Sequence, residues 1–164
     1  KVTGTAAAGD PGLLRDAGAH LVLDFTDAGF ASTYRLSSAT VEAIFEELVL
    51  HLAAGGCESI VIEVADGLLQ RETESLLQSR VFRSRVSGLL FTAADSLGAM
   101  GGVQWLRDRK LPVSGLSGRL MTSPLQLREA TAATRLPVYD LEDLLDPATA
   151  TKLMAGASRL GAVA

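Results

Sequence analysis

The sequence predicts an α/β fold of three layers, a mainly parallel sheet with helices on both faces. Two observations predict it. Short apolar runs rich in β-branched residues, such as Ser59-Ile-Val-Ile-Glu-Val-Ala65, alternate along the chain with longer stretches whose apolar residues recur every three or four positions. The runs are too continuously apolar for half-exposed strands, so they read as strands buried on both faces, joined by right-handed helical crossovers.

Taken in order, residues 2–5 are expected to be the tail of a strand, and 6–12, with Gly9-Asp10-Pro11-Gly12, to be loop. A short helix is expected over 13–18 and a compact strand over 21–25, followed by the polar, glycine-containing segment 26–33. Ser37 or Ser38 offers an N-cap to the clearest helix, in which Val41, Ile44, Phe45, Leu48, Val49 and Leu52 repeat up to Gly55-Gly56. Residues 59–68 form the strand on which the fold is centred. It delivers Glu63 and Asp66 to the C-terminal edge of the sheet, where open α/β sheets bind ligands. One or two helices are expected over 68–85 and a buried strand over 88–93. A helix then follows Asp95 and runs to Arg109-Lys110, whose charges suit a helix C-terminus. Residues 111–116 read as a strand with Pro112 near its start, and Ser123-Pro124 as N-cap and first residue of a helix reaching Thr134. A last short strand over 136–139 precedes two small helices starting at Asp140 and Pro147.

At 164 residues the chain is expected to form one domain, 1–164. A composition 48% hydrophobic, with net charge −4, suggests neither disorder nor a broad nucleic-acid-binding surface. The single Cys57 excludes an internal disulfide and a Cys-cluster metal site. No apolar run approaches the ~20 residues of a membrane span, so no membrane partner is expected, and cytoplasmic residence follows by elimination. The chain opens at Lys1 without methionine, as expected of a processed, truncated or excised polypeptide.

The polar residues at the predicted strand ends form an acidic rim: Thr3, Thr5 and Asp10; Asp24, Thr26 and Asp27; Glu63 and Asp66; Thr92 and Asp95; Ser117 and Arg119. Converging carboxylates repel one another, and a divalent cation such as Mg²⁺ relieves this by taking one or two of them with water and substrate phosphates. Glu63 and Asp10 are the first candidates for that role. Asp24, Asp95 and Asp140 read equally well as helix caps, and Asp66-Gly67 as a turn. Lys1 with Thr3 and Thr5 would place a cation and two hydroxyls near the same rim, suited to an anion. Arg71 is a candidate for bidentate binding of a phosphate or carboxylate, or a solvated helix residue. His20 and His51 lack partners at ligand spacing and read as structural, and no nucleophile elbow is present.

Lys1-Val-Thr-Gly-Thr5 with Asp10, then Ile60-Val-Ile-Glu63-Val-Ala-Asp-Gly67, then Gly88-Leu-Leu-Phe and Leu111-Pro-Val-Ser-Gly115, resemble P-loop NTPases of the dethiobiotin synthetase type. The resemblance implies a P-loop NTPase-like or Rossmann-like fold and an enzyme using ATP and Mg²⁺ on a small anionic, carboxylate-type metabolite. It would make Lys1 the substrate- or phosphate-contacting lysine, Asp10 and Glu63 the metal ligands, and Ser117 with the Leu136-Pro137 turn part of the nucleotide-base pocket. Val2 stands where the family has proline, and Val64-Ala-Asp where it has Gly-Ala-Gly. The 164 residues contain no G-x-x-x-x-G-K-[ST], the loop that cradles phosphates and that in the family lies N-terminal to the residues seen here. The chain is therefore expected to be the C-terminal portion of a larger P-loop domain. The Asp24-Phe-Thr-Asp-Ala-Gly29 segment also resembles the family that includes D-glutamate N-acetyltransferases. The alternative expectation is a non-catalytic α/β module that binds a small ligand or pairs with a partner chain, with a homodimer as the expected assembly.

Overall fold

The computed structural model describes residues 1–7 and 9–161, with side chains up to Met154. Ala8, within the predicted 6–12 loop, lies outside the described residues. The chain divides into two compact units, Lys1–Phe82 and Arg83–Ala164. Among the described residues, helices and strands are mixed as predicted, but the sheet has two parallel strands, so the predicted three-layer sheet is not formed.

In the first unit, α1 (Gly9–Asp16) starts four residues before the predicted helix. Pro11 does not prevent this, because an amide in the first helical turn has no intrahelical acceptor to lose. α2 (Ser38–Ala54) forms as its periodicity predicts. The Ser37 hydroxyl accepts from Thr40 N at 3.1 Å, and Val41, Ile44, Phe45 and Leu48 are buried. Two helices occupy the predicted 68–85 stretch: α3 (Arg71–Gln78), packed on α2, and α4 (Arg80–Arg85). The Phe45 and Phe82 rings stand 5.4 Å apart between centroids, a spacing favourable for tilted aromatic pairs.

The strands predicted over 2–5, 21–25 and 59–68 do not form ladders. Isolated links replace them: Lys1 N donates to Leu23 O at 3.0 Å, Val2 N to Glu63 O at 3.0 Å, and Thr5 forms a single antiparallel bridge with Ser32. The segment predicted as the central buried strand is the largest correction, since Val61 is 86% exposed. A β-branched run becomes a buried parallel strand only where other strands pair with its edges and helices cover its faces. Among the described residues, no backbone hydrogen bond reaches residues 59–62.

In the second unit the predicted alternation is realised. β1 (Leu89–Thr92), α5 (Ser96–Asp108) and β2 (Val113–Ser117) make a parallel crossover with Leu90 opposite Gly115 and Phe91 opposite Leu116. A 3₁₀ turn (Arg119–Thr122) leads into α6 (Pro124–Thr134), followed by α7 (Leu141–Leu145) and α8 (Pro147–Gly161). The last predicted strand contracts to one parallel bridge, Leu116 with Val138. Ala99, Val103, Leu116, Leu120 and Ala130 form the core, with Phe91, Val113 and Leu136 packed against it. Two glycines make this packing possible. A Cβ on Gly102 would lie 2.2 Å from Phe91 Cε1, and one on Gly118, at φ +108°, would lie 2.6 Å from Ala93 O. Asp95 caps α5 by accepting from Gly98 N at 2.6 Å, and Asp140 forms a capping box with Asp143 on α7. Among the described residues, no helix is long and apolar enough to cross a membrane.

Candidate functional site

The first unit brings three predicted site residues together. Asp10 stands in the first turn of α1, where a carboxylate complements the helix dipole, and Glu63 follows segment 59–62, which joins no strand. The Lys1 ammonium meets both: it donates to Asp10 Oδ2 through a short hydrogen bond and pairs with Glu63 Oε1 at 3.3 Å. The Lys1 side chain is 13% exposed, against 39% for Asp10 and 50% for Glu63, so the cation is covered while both carboxylates keep a face toward water. The Asp10 hydrogen bond, aided by the Glu63 charge and opposed by desolvation, holds the ammonium above its ordinary pKa of 10.5. Gly4 gives the lysine stem its berth: at φ +129°, a Cβ there would stand 3.1 Å from Lys1 Cε.

Beneath this cluster, buried polar side chains do the work of a missing strand ladder. The Thr3 hydroxyl accepts from Ala65 N at 2.9 Å and lies 3.2 Å from Ala65 O, which also accepts from Thr73 Oγ1 at 2.7 Å. Thr33 Oγ1 accepts from Gly4 N at 2.9 Å, and Glu72 Oε1 accepts from Arg35 N at 2.5 Å. Thr3, Thr33, Glu72 and Thr73 are all buried. Thr33 and Glu72 were not among the sequence candidates. A signal for Glu72 did exist, because Glu72 and Thr73 stand four residues before Leu76 and Leu77, on the face that α3 buries.

The remaining candidates are placed apart from the Lys1 cluster or engaged elsewhere. Thr3 spends its hydroxyl on Ala65, whereas Thr5 is exposed, its hydroxyl 3.2 Å from Ser32 Oγ. Arg71 is exposed at the start of α3. Asp24 is buried and closes a turn, accepting from both the amide and the hydroxyl of Thr26. Asp66 and Gly67 both have positive φ, and they form the turn that was the simpler reading. His20 Nε2 lies 3.3 Å from Gly55 O, and His51 Nε2 lies 3.9 Å from Glu47 Oε1. Ser117 and Pro137 belong to the second unit. There the buried Ser117 hydroxyl donates to Tyr139 O at 2.8 Å, while Pro137 is exposed and its carbonyl accepts from Leu116 N.

Two carboxylates aimed at one cation are a donor set that suits Mg²⁺, which commonly takes one or two carboxylates and completes its shell with water and substrate oxygens. Among the described residues, no group of three or more His, Cys, Asp or Glu comes together, so an all-protein metal cage is not what the site offers. A shallow hollow of about 300 Å³, lined by Leu21, Leu23, Asp27, Glu47, Leu48 and His51, does not include the cluster. Comparison of the chain with protein-family models, with curated proteins and with solved structures finds no match.

Proposed function

We propose that this chain is part of an ATP- and Mg²⁺-dependent enzyme of the P-loop, dethiobiotin synthetase-like kind, acting on a small anionic, carboxylate-type substrate. The observation that supports it is the meeting of Lys1, Asp10 and Glu63 on one spot from three separate stretches of chain. In this reading Asp10 and Glu63 hold Mg²⁺, which supplies charge neutralisation for transferring phosphate oxygens. Lys1 binds and orients the anionic substrate, a task for a point charge on a flexible stem. Gly4, Thr3 and Thr73 keep the segments that carry these groups in register. The phosphate-cradling loop, in this reading, lies outside these 164 residues. Calorimetric titration of the intact polypeptide, including any natural sequence before Lys1, with Mg-ATP tests the proposal. Wild type is expected to bind, and Glu63→Gln to bind at least about tenfold more weakly and to lose turnover. Undiminished turnover in Glu63→Gln overturns it.

A second reading is a non-catalytic module that pairs with a second copy of itself, and the exposure of Val61 favours it. Residues 59–62 present an apolar edge free of backbone bonding among the described residues, and two such edges related by a two-fold axis can pair. Analytical ultracentrifugation distinguishes this reading: a dimer that Val61→Lys converts to monomer supports it, and a monomeric wild type removes it.

A further inference from the structure

We infer that the hollow beside α2 binds a small organic cation, a protonated amine carried on a hydrocarbon body. This goes beyond the proposed function and does not depend on it. The hollow, about 300 Å³, lies at the lower end of the range that small ligands occupy. Leucines make its apolar surface: Leu48 is buried, Leu23 is half-buried, and Leu21 lies against the end of α2. Gly55 permits the last contact, since a Cβ there would stand 2.8 Å from Leu21 Cδ2. Two carboxylates complete the lining from separate stretches of chain. Asp27 is held by its own turn, its Oδ2 accepting from Asp24 N at 2.8 Å. Glu47 stands on α2 one turn before His51, whose Nε2 lies 3.9 Å from Glu47 Oε1. The charge balance selects the guest. The lining holds no Lys or Arg, and α2 has none along its length, so an anion is repelled. A bare metal ion would trade its water for leucine methyls, which offer it no oxygen. A wholly apolar guest would strip water from the carboxylates and replace it with nothing. An ammonium group meets the carboxylates, and its hydrocarbon body covers the leucines, as a lysine stem covers apolar surface beneath its charged head.

The probe is hexylammonium, with hexanoate as its anionic control, titrated into the intact, isotope-labelled polypeptide and followed by amide chemical shifts. Hexylammonium is expected to shift the amides of residues 21–27 and 47–51, and hexanoate to leave them in place. Affinity should rise by up to about fourfold per CH₂ from propylammonium to hexylammonium, because the body is buried against leucine. Asp27→Asn removes the charge while keeping an oxygen for Asp24 N. It and Glu47→Gln should each weaken hexylammonium binding by about two- to fivefold, and the double variant should weaken it further. His51→Lys builds a competing cation into the lining and should weaken binding at least as much as either single change. Circular dichroism checks that each variant keeps its fold, and His51→Lys, which leaves the Asp27 turn intact, carries the test should Asp27→Asn fold poorly. Equal shifts with hexanoate, or undiminished hexylammonium binding in the double variant, overturn the inference. So do an absence of shifts and shifts confined to Asp10 and Glu63, which would place the amine at the other pair of carboxylates.

Discussion

The two units of this chain contain similar apolar runs and treat them differently. In Arg83–Ala164 the runs at 89–92 and 113–117 pair as parallel strands around α5, and main-chain groups satisfy main-chain groups. In Lys1–Phe82 the runs at 21–25 and 59–65 form no ladder, only isolated backbone links, and Thr3, Thr33, Glu72 and Thr73 bond the backbone from the side. The difference teaches that a β-type run becomes a strand only with a second one beside it. Hydroxyls and a carboxylate can stand in, at the cost of burying polar groups whose loss leaves peptide groups unsatisfied.

That contrast can be broken by substitution. The largest effect is expected from Phe45→Ala, which removes a fully buried ring stacked near Phe82 and should destabilise the first unit by about 3–5 kcal/mol. Hydrogen exchange of the α2 amides measures it. A loss well under that range would mean the first unit is held mainly by its polar clamps rather than by its apolar core. Next comes a matched pair. Thr3→Val strips a hydroxyl that serves both peptide groups of Ala65 and should destabilise by about 1–3 kcal/mol. Ser114→Ala removes only a bond to Leu89 O, at the register shift between the paired Val113 and Gly115, and should cost about 0.5–1 kcal/mol. Equal denaturation midpoints for the two variants would erase the distinction. The smallest effect concerns pH. Because the Lys1 pKa is raised above 10.5, its contribution is fully present below that value and is lost as pH rises through the folded-state value. Wild type should therefore lose stability relative to Lys1→Met on going above pH ~10.5, and thermal unfolding of both across that range would show it.

Helix ends were readable because capping is local chemistry. Ser37, Asp95 and Ser123-Pro124 carry their function in their own side chains and in the next three residues, and α2, α5 and α6 start where these predict. The start of α1 was hidden because Gly9-Asp10-Pro11-Gly12 is turn composition, yet proline is equally at home in a first helical turn. The 59–68 segment was misread for a deeper reason: burial of a strand depends on residues far along the chain, which no local pattern reports. Candidate site residues fared similarly. Lys1, Asp10 and Glu63 were found from charge at segment ends, and they do meet. Thr33 and Glu72 were missed, since a buried polar residue with a backbone partner looks in sequence like a surface one.

The exposed Val61 has a consequence for the protein as a material. An apolar, β-branched stretch with open main-chain groups is a template on which further copies could stack into fibres. Glu58 and Glu63 flank it as charged gatekeepers, repelling the identical residues of an in-register neighbour. Glu63 would thus carry two duties in the proposed reading, as a ligand and as a charge that opposes in-register stacking. A divalent cation that neutralised Glu63 would also weaken this guard, so metal concentration should set how long the protein stays dispersed.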